Sequence, residues 1–288
     1  MILERHLILQ NMPQVMNLRQ LLTSWYLPRK WQHELRINRS ILVNRHYQSF
    51  NQLVHNGEQI DLAFAAQIHS QTYQPHRLPN CPIIFENRDL IIVNKPAGIK
   101  THPNQPHESQ TLFNHLAAIL PSGPLMLHRL DKMTSGLIMV GKNPLIVPII
   151  ERQLALKQLQ RTYIAVIPYQ KQMDPQGTID FNIGRDPTDQ RKRQIDPAGK
   201  SAMTHYQIIQ HNTSWALVKL QLETGRTHQL RVHLKALGTP ILGDPLYSCQ
   251  TAPRLFLHAY QLTYQQPFTW QMQTIQTTIP TSFLALTR

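Results

Sequence analysis

The chain is short of acid, short of cysteine and without a long apolar run, and each shortage removes a class of function. Its 288 residues carry 16 Asp and Glu against 29 Lys and Arg, a formal net charge of +13. That balance suits a polyanion, nucleic acid first, and disfavours a cationic partner. No apolar stretch reaches the about 18 to 20 residues of a spanning helix. The basic residues are dispersed rather than set on one amphipathic face, so no membrane partner is expected. Met1 to His6 bring an early acid, Glu4, and no cationic region followed by a small-residue cleavage site, so no secretory signal is read. The cysteines, Cys81 and Cys249, have neither CxxC nor metal spacing, which fits a reducing, cytoplasmic setting. Among the 15 histidines, His102 with His107 and His228 with His233 stand five apart and lack the i, i+4 pairing with glutamate of zinc helices, so no metal site is expected.

What is present is 41% apolar residues, enough for one large packed domain and a small one. In the first, residues 1–68, Leu18, Leu21, Leu22 and Trp25 recur at helical spacing, Pro28 breaks the pattern, and Trp31, Leu35 and Ile37 continue it on a basic second helix with Arg29, Lys30, Arg36 and Arg39. Short strands are expected at Ile41 to Asn44 and Gln59 to Leu62, with Asn56-Gly57 turning between them. Residues 69–82, with Pro75, Pro79 and Pro82, read as a stiff linker. Residues 83–288 form the larger domain. It has a hairpin from Ile83 to Asn94, helices at Thr111 to Leu120 and Pro144 to Gln160, and strands at Arg161 to Ile167, Ala202 to Ile209 and Trp215 to Leu222. A helix from about Arg226 to Leu237 and an apolar segment at Leu255 to Ala259 follow. No internal repeat is evident.

The densest chemistry lies in His128-Arg129-Leu130-Asp131-Lys132-Met133-Thr134-Ser135-Gly136. Apolar runs flank it, Leu125 to Leu127 and Leu137 to Val140, so it reads as strand, tight loop, strand. The hydroxyls of Thr134 and Ser135 and a glycine free to take positive φ are expected to close the turn. A carboxylate there is held on firm supports among cations.

These nine residues resemble the signature loop of the RluA-like family of RNA pseudouridine synthases, and Leu222 to His233, with Gly225-Arg226-Thr227-His228-Gln229-Leu230-Arg231, resembles that family's third motif. Lys95-Pro96-Ala97-Gly98 with His102-Pro103 is similar to its opening motif, and Arg161-Thr162-Tyr163 to the one carrying an active-site tyrosine. The resemblance covers roughly residues 83 to 280. It implies an α+β fold, a mixed, largely antiparallel central sheet with flanking helices and an active cleft across it. Residues 1–68 are similar to the alpha-L RNA-binding module, except that Asn38-Arg39 and Arg45 stand where that module has glycines.

By this resemblance Asp131 is the catalytic carboxylate, Arg231 its partner, and Tyr163 stacks on the uracil. Arg129 enters the RNA where the base leaves, Leu257 lies under the ring, and Arg226 and His128 complete the substrate contacts. Apart from the resemblance, Arg185 in its charged Gly-Arg-Asp-Pro loop reads as a phosphate contact, or else as part of a solvated charge run. His128 and His228 also read as hydrogen-bonding supports of their loops. The implied enzyme is a cofactor-free, monomeric isomerase acting on structured RNA, ribosomal RNA ahead of transfer RNA. Two rivals stand beside it: a non-catalytic RNA-binding or ribosome-assembly protein on the same fold, and a glycosidic hydrolase. The first needs no set such as Asp131, Tyr163 and Arg231; the second commonly uses two carboxylates, and the signature loop holds one.

Overall fold

The structure is a computed structural model and describes residues 2–65 and 72–288. The N-terminal module contains β1 (Ile2–Ile8), β2 (Met16–Asn17), α1 (Leu18–Ser24), α2 (Arg29–Ile37), β3 (Ile41–Val43), β4 (His46–Tyr47), β5 (Leu53–Val54) and β6 (Gln59–Ala65). Asn17 and Gln20 cap α1 reciprocally, each side chain accepting from the other's amide at 2.9 Å. The helices and the strands at 41 and 59 are where the apolar spacing predicts them. β1 is not; it pairs antiparallel with β6 along its whole length, in the order β1-β6-β3-β4. An inward-facing charge, Arg5, hides the alternation from which a strand is read.

The left-handed geometry that glycines supply in the resembling module is kept by other residues. Arg39 has φ 48°, Asn44 φ 50° and Arg45 φ 70°, whereas Asn38, the expected candidate, is right-handed at φ −81°. Each left-handed arginine costs about 1–2 kcal/mol. Asn44 offsets part of this by accepting from the Gln59 amide at 3.0 Å and donating to Glu58 at 3.2 Å.

The larger domain runs β7 (Ile83–Glu86), β8 (Leu90–Lys95), α3 (Leu112–Ala117), β9 (Leu125–Met126), β10 (Ser135–Gly141), a 3-10 turn (Pro144–Ile146) and α4 (Val147–Ala155). It continues with β11 (Gln160–Pro168), β12 (Gln176–Asp180), β13 (Ile183–Arg185), β14 (Arg193–Ile195), β15 (Met203–His211), β16 (Trp215–Leu222), α5 (Gln229–Ala236), β17 (Leu257–Gln265), β18 (Met272–Gln276) and α6 (Thr281–Thr287). A ten-stranded sheet has the order β12-β15-β16-β11-β17-β10-β8-β7, with β18 on β17 and β9 on β10. Only the β10–β17 pair is parallel among the described ladders of this sheet. The fold is therefore α+β with a largely antiparallel sheet. Three helices are shorter than their spacing predicts: α3 ends at Ala117, α4 stops at Ala155 before a left-handed Lys157, and α5 begins only after His228. No described helix is long and apolar enough to cross a membrane.

Both faces of this sheet are buried, and they divide the core. Ile91, Val93, Ile138 and Val140 face α3, α5 and Phe283 of α6. Leu90, Ile92, Leu137 and Met139 pack with Ile149 and Ile150 of α4 and with Leu18, Leu21, Leu22 and Trp25 of the N-terminal module. The two apolar patterns thus do not each close on themselves, as the linker composition suggests, but share one core. Trp25 meets Phe268 and Trp270 at 5.8 and 5.9 Å between ring centroids, and Trp270 donates to Ser24 Oγ at 3.0 Å. Arg5 clasps Asp89 with two bonds of 2.7 and 2.5 Å, both residues buried. Of the linker, residues 69–71 lie outside the described residues. The stretch after them packs on α3, where Asn114 Nδ2 donates to Gln74 O at 2.8 Å and His115 Nδ1 accepts from the Leu78 amide at 2.9 Å.

Arg5→Met is expected to destabilise the whole chain by about 3–5 kcal/mol, the cost of leaving Asp89 charged and unpaired in that interface. Thermal unfolding of the full chain measures it, and a melting temperature equal to the parent's would show that the clasp does not hold the two parts together.

Candidate active site

The loop carrying Asp131 joins β9 to β10, which pair antiparallel through Met126 and Val140. Both chain neighbours of Asp131 are pinned. The Leu130 amide and carbonyl each bond Thr101 Oγ1, at 3.2 and 2.9 Å. The Lys132 carbonyl accepts from the Gly98 amide at 2.8 Å and from Lys95 Nζ at 3.3 Å. Lys95 is fully buried and also donates to the carbonyls of Pro96 and Ile99, at 3.0 and 2.8 Å, so one side chain ties the opening motif to the signature loop. Burial pulls its ammonium down to about 7 against the attraction of Asp131.

His128 supports the same loop from beneath: its Nε2 accepts from the Met139 amide at 3.0 Å and its Nδ1 is buried. Burial pulls the imidazole down to about 3, so it is neutral and accepting at physiological pH. Gly136 takes φ 110°, and a Cβ there would lie 2.3 Å from Ala259 O, so only glycine lets β10 run beside β17. Ser135 departs from expectation. Its hydroxyl does not close the local turn but meets His258 Nδ1 at 2.7 Å and accepts from Arg254, tying the loop to β17.

Arg231 arrives from α5, 100 residues on. Its Nη1 lies 3.4 Å from Asp131 Oδ2, while Nε and Nη2 clasp Asp244 at 2.7 Å each. Arg231 is therefore shared, and its stronger partner is a residue that sequence reasoning missed. The side chain of Asp244 is 0% exposed and that of Arg231 4%, against 31% for Asp131: the tight pair is buried and the reactive candidate is open. Asp244 Oδ1 also accepts from the amides of Leu246 and Tyr247, at 2.9 and 3.2 Å. The signal available for it was Gly243-Asp244-Pro245, which reads as an ordinary turn.

The turn before α5 is shaped by Gln229, whose Oε1 accepts from Thr224 Oγ1 and the Arg226 amide at 2.8 and 3.0 Å. A Cβ on Gly225 would stand 2.7 Å from Arg161 Nη1, so the glycine lets this turn close onto the arginine that precedes Tyr163 by two residues. Tyr163 on β11 and Leu257 on the adjoining β17 are buried and line a recess whose other walls include Asp131, His228 and Arg231. Burial pushes the Tyr163 phenol up, and Asp131 adds to that against Arg161.

The recess adjoins a cleft of about 980 Å³ whose lining includes Lys100, Arg129, Asp131, Lys132, Lys157, Arg161 and Arg226 together with Glu151 and Glu223. Arg129 and Lys132 are exposed on it. Arg226, also exposed, is steadied by donating to Ser201 O at 2.9 Å. The structure thus gathers Asp131, Tyr163, Arg231, Leu257, Arg129 and Arg226 around one opening. It places His128 under the loop, bordering the cleft, and Arg185 on the β13–β14 hairpin, where it lines neither cavity.

Residues 89–236 match the family described as RNA pseudouridylate synthase, and residues 5–60 the RluD ribosomal pseudouridine synthase N-terminal domain. The chain is 39% identical over 215 residues to an uncharacterized RNA pseudouridine synthase of Bacillus subtilis, covering 72% of this chain and 71% of that one. It is 34% identical over 254 residues to ribosomal large subunit pseudouridine synthase D of Nitrosomonas europaea, covering 82% and 72%. The solved human RNA Pseudouridylate Synthase Domain Containing 1 superposes with a TM-score of 0.62 at 28% identity, covering 72% of this chain and 86% of that one. With a buried arginine holding a half-open aspartate at the mouth of a basic cleft, and with these likenesses over most of its length, the chain belongs to the RNA pseudouridine synthases, a family of isomerases.

Proposed function

We propose that the protein isomerises particular uridines of a structured RNA, ribosomal RNA in the first place, with Asp131 as the group that acts on the sugar. The observation that carries this reading is the position of Asp131 where the basic cleft meets the recess of Tyr163 and Leu257. A strand tracked along the cleft reaches the recess only by turning one base out of its stack, which costs a few kcal/mol. Arg129, exposed beside Asp131, can stack in the gap and bind phosphate at once.

Within the recess Tyr163 and Leu257 present a flat apolar slot to the uracil. Asp131, as nucleophile at C1′ or as base on the sugar, assists breakage of the bond from C1′ to N1. The detached base, held against escape, turns and rejoins C1′ through C5, displacing the carboxylate if it had bonded to C1′; C5 then gives up its proton to solvent and N1 takes one up. No atom is gained or lost, and no cofactor is called for. Ribosomal RNA is preferred because one relative named above is a ribosomal large subunit enzyme and because residues 5–60 match the RluD ribosomal pseudouridine synthase N-terminal domain.

Pseudouridine mapping across the total RNA of a deletion strain and its parent tests the reading. One or a few uridines of ribosomal RNA are expected to lose modification in the deletion and regain it with the wild-type gene. Loss confined to transfer RNA would move the substrate, and an unchanged map would remove the proposal.

A further inference from the structure

His228, which reads from the sequence as a support of its own loop, stands in the recess and bonds the distant Tyr247 instead. It precedes the first turn of α5 in the left-handed conformation, φ 60° and ψ 17°, and its side chain caps nothing. For a residue other than glycine that geometry is strained, and such strain gathers where a side chain must be aimed. The imidazole points one nitrogen at each of two groups: Nδ1 is 2.9 Å from Tyr247 Oη, and Nε2 is 3.7 Å from Asp131 Oδ2.

The proton positions follow from the partners. The Arg193 amide donates to Tyr247 Oη at 2.7 Å, occupying the phenolic oxygen as acceptor. The Tyr247 hydroxyl hydrogen then needs an acceptor, and among the described residues Nδ1 of His228 is the acceptor that lies within reach. A neutral imidazole that accepts at Nδ1 carries its proton on Nε2.

We infer that Tyr247 and His228 form a positioning pair for Asp131, in which the chain Arg193 N–H to Tyr247 O–H to His228 Nδ1 fixes the imidazole as a neutral Nε2–H donor aimed at the carboxylate. The inference rests on the role proposed for Asp131. The 3.7 Å separation is a facing contact rather than a bond, and contacts of this kind tighten when substrate closes the site. With Arg231 on one side of Asp131 and His228 on the other, a neutral donor orients the carboxylate without adding a second cation that would blunt its reactivity. Arg231, Asp244, Asp131 and Arg193 are the charged groups about the ring, and burial, the largest influence, pushes the imidazole below its ordinary value. Tyr247 also lies under the Arg231 guanidinium, 4.9 Å from its ring centroid, so one side chain braces both partners of Asp131.

Two measurements on the full chain test the pair. In protein labelled with ¹³C and ¹⁵N at histidine, the His228 signal, identified by its loss in His228→Gln, is expected to show the Nε2–H tautomer near neutral pH. Tyr247→Phe, which keeps the ring under Arg231, should turn it into a mixture and lower kcat by roughly 10- to 100-fold with little change in KM. An Nδ1–H tautomer in the wild type, or one unmoved by Tyr247→Phe, overturns the inference. This readout needs no turnover, so it stands or falls separately from the role of Asp131.

The second measurement compares His228→Gln with His228→Asn. Glutamine keeps an N–H where Nε2 was, whereas asparagine tolerates the left-handed backbone better. Turnover is expected to be higher in Gln by roughly tenfold while thermal stability is higher in Asn. If turnover follows stability instead, His228 serves the helix end alone.

Discussion

Asp131→Asn is expected to lose pseudouridine formation by roughly 10⁴-fold or more, the scale on which removal of a reacting group falls, while the chain stays folded and binds RNA nearly as before. The amide is close in shape to the carboxylate but is neither nucleophile nor base. Folding should survive because Arg231 keeps its two bonds of 2.7 Å to Asp244 when the 3.4 Å contact to Asp131 is weakened. Asp131 also leaves nothing buried and unpaired behind it, its side chain being 31% exposed. Binding should survive because affinity for RNA comes mainly from cations on phosphates, and Lys100, Arg129, Lys132 and Arg226 are untouched. Turnover of RNA and a filter-binding titration, run on the same preparation, check both halves. Activity within tenfold of the parent would take Asp131 out of the mechanism.

Arg231→Met is expected to cost about 3–5 kcal/mol of stability as well as activity, since it strands a carboxylate of 0% exposure. The partner that suffers is Asp244. In denaturant unfolding, Asp244→Asn should therefore rescue part of the loss caused by Arg231→Met, because a neutral amide can still accept from the Leu246 and Tyr247 amides without carrying an unpaired charge. Asp131→Asn, at a half-open carboxylate, should rescue little of it. This reverses what a simple pair between Asp131 and Arg231 implies. Rescue by Asp131→Asn with none by Asp244→Asn would show that the pairing in solution is the other one.

Much of this was legible along the chain, in pieces. The strand, loop and strand around Asp131 follow from two apolar runs and a cluster of turn residues between them. The meeting with Arg231 does not, since a contact across 100 residues leaves no local trace; it came from motif resemblance alone. Asp244 left no trace at all, as its neighbours spell a turn and its charge has no cation nearby in sequence. β1 was hidden by Arg5, whose inward charge is satisfied by Asp89, 84 residues away.

The shared core is a different case, where the signal existed and pointed the right way. Leu90 to Val93 and Leu137 to Val140 are apolar at every position, which a strand needs only if both its faces are covered. Something had to lie on the second face, and the apolar side of α1 does. The proline-bearing linker drew attention to separation. The unbroken runs implied contact.

Tritium release from RNA labelled at uracil C5, counted against the nucleosides in a full digest of the same RNA, tests isomerisation at Asp131 most directly. Wild-type protein is expected to release one tritium for each pseudouridine formed, with no free uracil, and Asp131→Asn to release none above background. Free uracil in proportion to the tritium, or a variant that keeps pace with the wild type, would contradict it.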